Sequence, residues 1–193
     1  GNPSLKPVLS NNLDLGLEWY FAPKAMLSAS VFALDMKSYV TYGSYVANFY
    51  NQAANAVTPY NMSAAVNTTA EVRGLELAYA QALAGGFGVN ANYTYADGKE
   101  TGKVPGSACA STGNCRMLGN SKNVYNLGAY YEDDRFNVRV AYSYRSDFLN
   151  GLNRNSAIVQ TGVGTVSAAL GYNISNQWQL SLEGKDLNDP VLK

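Results

Sequence analysis

The side chains able to do chemistry in this 193-residue chain are few and unevenly placed. Histidine is absent, which removes imidazole-based zinc sites and every Ser-His or Cys-His nucleophile pair. A catalyst would have to work with carboxylates alone. The close pairs are Asp97 with Glu100 and Asp133 beside Asp134, both in stretches that read as loops or turns, where acidic residues are commonplace. No enzyme activity is expected from them. The two cysteines, Cys109 and Cys115, sit in "GSACASTGNCRM" among small polar residues and read as a local disulfide closing a loop, which favours an oxidising compartment. Two unrelated free thiols are the alternative. No further metal ligands stand nearby, so neither a metal nor a cofactor is expected.

Binding chemistry is better supplied. In "YVTYGSYVANFYNQ" the residues Tyr39, Tyr42, Tyr45, Phe49 and Tyr50 offer flat apolar faces, flanked by Asn48, Asn51 and Gln52. Rings that stack on a ligand beside amides that bond its hydroxyls suit a saccharide-like molecule. Tyr39, Tyr42, Tyr45, Asn48, Phe49 and Tyr50 are therefore the candidate ligand contacts; the alternative is that these aromatics only extend strands or form a girdle. The chain carries 14 basic and 14 acidic residues, and this balance argues against nucleic acid or any other polyanion as a partner.

The elements that must position these residues are strands. Charged residues make up 15% of the chain against 15 tyrosines and 18 glycines, a balance that suits many strands and is poorer in charge than an average soluble domain. Alternation with a period of two recurs throughout. Leu13, Leu15, Leu17 and Trp19 alternate with Asp14, Gly16 and Glu18, and Phe136, Val138, Val140, Tyr142 and Tyr144 alternate with Asn137, Arg139, Ala141 and Ser143. About eight such segments follow one another. Their joints alternate between tight turns ("APK", "AGG", "DDR", "SNQ") and long connections, near Asp35 to Thr69, Asp97 to Lys122 and Asp147 to Gly164. Every short turn then falls at one end of a sheet and every long loop at the other. The predicted fold is all-β, an antiparallel up-and-down meander.

Which solvent meets each face follows from the residues on it. One face ends in aromatics at both rims: Trp19, Phe21, Tyr131, Phe136, Tyr172 and Trp178 near the short turns, and Tyr93, Tyr95, Tyr125, Tyr142 and Tyr144 toward the loops. Paired aromatic girdles mark the two headgroup levels of a bilayer. The other face carries Glu18, Glu76, Glu132, Arg139, Arg145 and Glu183, charges that a dry core rarely holds unpaired but a wet lumen accepts. The expectation is a wall of a membrane barrel with these six residues facing the lumen, Arg139 and Arg145 pairing with the glutamates across the wall or holding the carboxylates of a plug. No stretch approaches the roughly 20 apolar residues of a membrane-spanning helix. A soluble β-sandwich is the rival reading.

Four blocks, in order, resemble the barrel of TonB-dependent outer-membrane receptors: "GNPSLKPVLSNNLDLGLEWYF", "NTTAEVRGLELAYAQAL", "GNSKNVYNLGAYYEDDRFNVRVAYSYRSDFL" and "LSLEGKDLNDP". The last departs from the family pattern at Asp186 and Asn188, where Asn and Thr are usual. The resemblance implies that residues 1–193 are one partial barrel domain, about the last third of a 22-strand transmembrane barrel, with the plug, the TonB box and the closing strand outside it. It implies the outer membrane as location, with membrane lipid, TonB, a plug domain and a small-molecule nutrient as partners, and energy-coupled import of a scarce, bulky nutrient as activity. "EWYFAP", "GNSKNVYN" and "YYEDDRF" are most similar to receptors that include oligosaccharide importers, and siderophore receptors share much of the same barrel. A passive porin or an adhesive barrel is the other activity such a wall allows. An excised arc of such a wall is expected to stay open rather than close on itself.

Overall fold

The computed structural model describes residues 2–153 and 156–190. Among them are ten strands: β1 Ser10–Ala22, β2 Ala25–Asn51, β3 Ala56–Ala82, β4 Phe87–Glu100, β5 Asn123–Glu132, β6 Phe136–Arg145, β7 Phe148–Asn153, β8 Ser156–Gln160, β9 Val163–Ser175 and β10 Trp178–Gly184. One short α-helix, α1, spans Ala108–Thr112, and a 3-10 turn spans Ala84–Gly86. Eight strands build one antiparallel sheet in the order β1-β2-β3-β4-β5-β6-β9-β10, and β7 and β8 form a separate hairpin inside the connection from β6 to β9. Sequence alternation alone leaves that small hairpin unmarked. The four tight turns, at residues 23–24, 83–86, 133–135 and 176–177, all fall at one end of the sheet.

The register keeps the two faces distinct from the first strand to the last. Leu17, Ala29, Leu77, Tyr93, Tyr125 and Tyr144 stand opposite one another across six strands. One residue along, Glu18, Ser28, Ala78, Asn92, Asn126 and Ser143 make the matching row of the other face. Because paired residues in an antiparallel ladder share a face, the period of two in each strand becomes a property of the whole sheet. The apolar face is bare: Leu15 and Leu17 are 71% and 73% exposed. Its rings gather at both ends, Phe87 with Tyr131 at 4.8 Å and Phe136 with Tyr172 at 5.1 Å near the tight turns, and Tyr125 with Tyr144 at 4.9 Å near the loops. Strands β1 and β10 are the two edges, and no ladder joins them among the described residues.

One expectation is overturned. The stretch from Asp35 to Thr69 is no loop: β2 and β3 run on together for 27 residues each, about 90 Å of hairpin, and turn only at residues 52–55. The cause of the misreading is a β-bulge between Met36 and Tyr39, where the register shifts by one. Below it the even-numbered residues of β2 share the polar face; above it the odd-numbered residues do. Alternation continues with reversed phase, so a single-phase reading loses the strand. The turn itself is held by Asn51, whose Oδ1 accepts from the Ala53 and Ala54 amides at 3.0 and 3.1 Å.

On the polar face near the tight turns, Gly88 lies directly opposite Tyr130, and the phenol ring covers the space a Cβ would need. Gly88→Val is expected to push Tyr130 off its rotamer and cost about 1–3 kcal/mol, read as a lower unfolding midpoint in detergent. Gly88→Val with Tyr130→Ala should recover much of that loss.

Candidate functional site

The loop end of the polar face is covered. From the end of β4 the chain crosses the base of the long hairpin: the Thr101 amide donates to the Thr69 carbonyl of β3 at 2.9 Å, and the Ser44 amide of β2 donates to Pro105 O at 2.7 Å. Between these points Val104 lies over Gly43, where an added Cβ would meet Val66 and Val104 at once. Residues 115–117 then run back beside the end of β4, with the Glu100 amide bonded to Cys115 O at 2.7 Å and the Met117 amide to Gly98 O at 3.1 Å. Cys109 and Cys115 are joined by a disulfide. α1 lies within that closure, its Ser107 cap accepting from the Ala110 amide at 3.2 Å. Beneath the crossing, Ala70, Val72 and Met117 form a small core against Phe32, Leu34, Met36 and Tyr39. Phe32, Leu34 and Met36 belong to the polar face, continuing the phase of Ser28 and Ser30.

The second loop joins the first. Leu149 of β7 is fully buried, and its carbonyl accepts from the Gly119 amide at 2.8 Å. Arg116 bonds Asp147 at 2.7 Å. Arg145 is the clip between them: Nε donates to Ser121 Oγ at 2.6 Å, a terminal nitrogen donates to Gly119 O, and the guanidinium lies 3.9 Å from the centre of the Phe148 ring.

Among the six charged residues Glu18, Glu76, Glu132, Arg139, Arg145 and Glu183, the register places all on the polar face. The expected ion pairs between them do not form among the described residues. Arg145 serves the loops, Arg139 Nε reaches Asn137 Oδ1 at 3.3 Å, and Glu18 accepts from the Tyr20 hydroxyl at 2.6 Å. Arg139 and Glu183 stand on either side of Ala169, two strand spacings or about 9.6 Å apart, whereas Glu132 is a diagonal neighbour of Arg139 across β5 and β6 and still forms no ion pair with it.

The six aromatic and amide candidates separate. Above the bulge, Tyr39, Tyr45 and Phe49 continue the polar face, whereas Tyr42, Asn48 and Tyr50 point to the opposite side of the hairpin. Tyr39 is held under the crossing loop, and Tyr45 and Phe49 stand farther out beside Met62 and Tyr60, the Phe49 and Tyr60 rings 6.1 Å apart. Tyr60 and Met62 were not among the residues singled out; the reversed phase beyond the bulge is the signal that would have found them. The carboxylate pairs separate too. Asp97 faces outward and pairs with Lys99 and Lys122, at 2.8 and 3.2 Å, whereas Glu100, three residues on, faces the covered side. Asp133 is a turn cap, accepting from Tyr131 OH at 2.7 Å and from the Arg135 and Phe136 amides at 2.7 and 2.6 Å.

A wall with an apolar, aromatic-rimmed face, a polar face, tight turns at one end and long loops folded over the other is the wall of a membrane β-barrel. The chain belongs to the TonB dependent receptor-like, beta-barrel family, whose model matches residues 1–187. Similar solved structures are the copper transporter OprC (18% identity, 97% of this chain and 26% of that one, TM-score 0.68), the ferric-catecholate import receptor Fiu of E. coli K12 in its closed form (19%, 97% and 24%, 0.68) and the siderophore receptor PirA of Acinetobacter baumannii (20%, 98% and 29%, 0.64). The chain spans about a quarter of the length of these structures. By sequence it has no match among curated proteins.

Glu100 is the most enclosed charge-bearing group of the covered region, 3% exposed. Oε1 accepts from Thr41 Oγ1 at 2.6 Å, and neither Oε2 nor the nearby Thr68 Oγ1 has a partner among the described residues. Burial raises its pKa above the ordinary glutamate value, the Thr41 hydroxyl opposing this in part, and the same burial, helped by Glu100, raises that of Tyr39. The packed state therefore holds a proton that the open state releases. Packing is at full strength below the ordinary glutamate pKa of about 4.3 and weakens as pH climbs from there to the raised value. Hydrogen-exchange protection of residues 101–121 should fall as pH rises from about 4.3 through the raised value, and Glu100→Gln, which keeps the bond from Thr41, should flatten that slope. Equal slopes in both proteins would contradict this origin.

Proposed function

We propose that this chain is part of the barrel wall of an outer-membrane, TonB-dependent transporter that binds a scarce, bulky nutrient in its external vestibule and imports it with energy passed from TonB to a plug in the lumen. On this reading the apolar face meets lipid, and the face bearing Glu18, Glu76, Glu132, Arg139, Arg145 and Glu183 lines the lumen. The observation that carries it is the folding of two long connections over the polar face at one end. A ligand entering there would meet ordered protein: the hairpin wall with Tyr45, Phe49 and Tyr60 on its inward side, and the loops clipped by Arg145 at its foot. The nutrient we favour is an oligosaccharide or a siderophore. Aromatic faces suit sugar rings, and two of the similar structures are named for siderophore or ferric-catecholate import.

In the intact protein, Tyr45→Ala with Phe49→Ala is expected to lower uptake at least about tenfold for whichever member of a panel of labelled oligosaccharides and ferric siderophores the wild type imports. Tyr42→Ala with Tyr50→Ala, on the other side of the hairpin, should leave uptake within about twofold at equal surface expression. Uptake should also vanish in cells lacking TonB. Undiminished uptake without TonB would point instead to a passive porin, and no uptake of any kind to an adhesive or structural barrel.

The two faces are tested separately. Leu77→Arg should cost about 2–4 kcal/mol in lipid, falling toward zero if that row sits near an interface, while Asn92→Arg on the polar face should cost little. Reversible unfolding in vesicles measures both.

A further inference from the structure

Above its bulge the long hairpin carries no charge. The 33 residues from Ser38 to Ala70 include no Asp, Glu, Lys or Arg, where the chain's own share of 15% would supply about five. This half of the hairpin is well exposed on its outward side, with Tyr42, Val46, Tyr50 and Val57 each at 60% or more. Strands that stand in water normally blunt their edges with charged side chains. On β3 Pro59 serves that purpose, and no ionic group does. The inward side is furnished with rings instead. Tyr45 stands opposite Met62, Ala47 opposite Tyr60, and Phe49 opposite Thr58. Ala47 is small, so Tyr60 across from it and Tyr45 and Phe49, about 6.6 Å away along β2 on either side, border a notch over its methyl group. Hydrogen-bonding capacity there is uncommitted: the Tyr45 and Tyr60 hydroxyls make no hydrogen bond among the described residues, and Thr58 Oγ1 has no partner among them. On the outward side, by contrast, Tyr50 gives its hydroxyl to Asn55.

The charges nearest to this wall are committed or distant. Arg116 is paired with Asp147 at 2.7 Å, Lys122 with Asp97 at 3.2 Å, and Arg145 is held by Ser121 and Gly119. Lys103 lines a groove with Thr68 and Thr69, six or seven residues of β3 and so about 20 Å below Met62. A multivalent anion brought against the rings would therefore lose water and meet no counter-charge. A bare metal ion finds no better reception. The chain has no imidazole, its two cysteines are joined, and Met62 offers one thioether on this side. Uncharged sugar rings fit what is present, with their apolar faces on the aromatic rings and their hydroxyls within reach of the phenols. We infer that the nutrient is an uncharged oligosaccharide, without uronate, phosphate or sulfate groups, whose rings stack at the Ala47 notch on Tyr45, Phe49 and Tyr60. This rests on the reading of the chain as an importer's wall with that side of the hairpin turned to the vestibule.

The test is titration of the intact protein in non-ionic detergent with maltohexaose, cellohexaose and xylohexaose, and with hexagalacturonate and a ferric tricatecholate as charged probes. Saturable binding of at least one neutral hexaose is expected, its affinity moving less than about twofold between about 50 and about 500 mM salt. Y45A/F49A should weaken it at least about tenfold. The sign of an added charge then separates the ligand classes. At the notch, A47K, A47E and the uncharged A47Q should all weaken binding, by factors within about threefold of one another, because a neutral ligand feels their bulk and not their charge; an anion would favour Lys and reject Glu. V46K and V46E, on the outward side, should stay within about twofold of the wild type at equal folding. Opposite shifts for A47K and A47E, binding of a charged probe with no neutral hexaose bound, or no saturable binding of any neutral hexaose would overturn the assignment. Uptake in cells decides the underlying reading separately. TonB-dependent uptake of a charged probe would keep the importer and sink its uncharged cargo, whereas binding of a neutral hexaose at this notch with no TonB-dependent uptake would sink the importer and keep the site.

Discussion

An antiparallel sheet placed in hydrocarbon has one requirement that precedes all others: no backbone N–H or C=O may be left without a partner, because no water is there to supply one. Seven consecutive pairings meet it for every strand between β1 and β10, while the outer edges of those two strands lie open among the described residues. Side chains contribute little to cohesion in this part of the chain. The apolar face is bare and the polar face is largely open, and the buried cluster forms only where the loops fold back. What the side chains decide is phase. Each strand must offer its greasy residues to the same side as its neighbours, and a slip of one residue anywhere would turn every later row over. The unbroken register of β3 with β4, β4 with β5, β5 with β6 and β6 with β9 shows that requirement met four times in succession.

Past the last greasy row the requirement relaxes, and the structure changes character at that height. The bulge at Lys37 and Ser38 occurs just past the last greasy row, where water can solvate an irregular backbone. Beyond it the hairpin continues for another dozen pairs with the opposite phase, and the space over its inward side is filled by the 101–122 connection. That connection does what β5 does lower down. Its residues 115–117 bond the end of β4, while residues 101–105 bond β3 and β2. Among the described residues, buried polar groups appear only from the bulge outward, with Ser38, Thr41, Thr68, Glu100, Ser107, Ser121 and Ser146 all enclosed. Strand, loop and disulfide together close a small protein core on top of a wall that has none.

This division explains what could be read from the sequence. Rows such as Leu13 to Trp19 or Phe136 to Tyr144 declare their period because each residue answers to one of two contrasting solvents, and the tight turns declare themselves through Pro, Gly, Asp and Asn. The hairpin above the bulge answers to no such contrast. Tyr42 and Tyr45 are alike in type but lie on opposite sides, so composition suggested one aromatic cluster where backbone geometry makes two. Phe32, Leu34 and Met36 escaped notice for the converse reason, as apolar residues on the polar face whose covering, Met117, lies some 80 positions away in sequence. The Arg145 clip was equally hidden. An arginine on a strand invites pairing with a glutamate, and only the fold shows Ser121, Gly119 and Phe148 closer at hand.

The same logic accounts for the chain after β10. Strand β10 stops pairing at Gly184 opposite Ala168, yet β9 continues to Val163 and its next edge groups still need partners. The turn at Asp186, with a positive φ of 53°, brings the following residues back against that edge. The Leu187 amide donates to Val166 O at 3.0 Å, and the Asn188 side chain accepts from the Val166 amide and donates to Gly164 O, both at 2.8 Å. One side-chain amide thus carries a donor and an acceptor at the spacing of a strand's own backbone. Asn188 supplies this where the family pattern has Thr, whose single hydroxyl has one donor and no separate carbonyl. A side chain that imitates the next strand satisfies the ladder for one more step while letting the chain itself turn away, and the wall can end its pairing at the loop level without leaving those backbone groups bare.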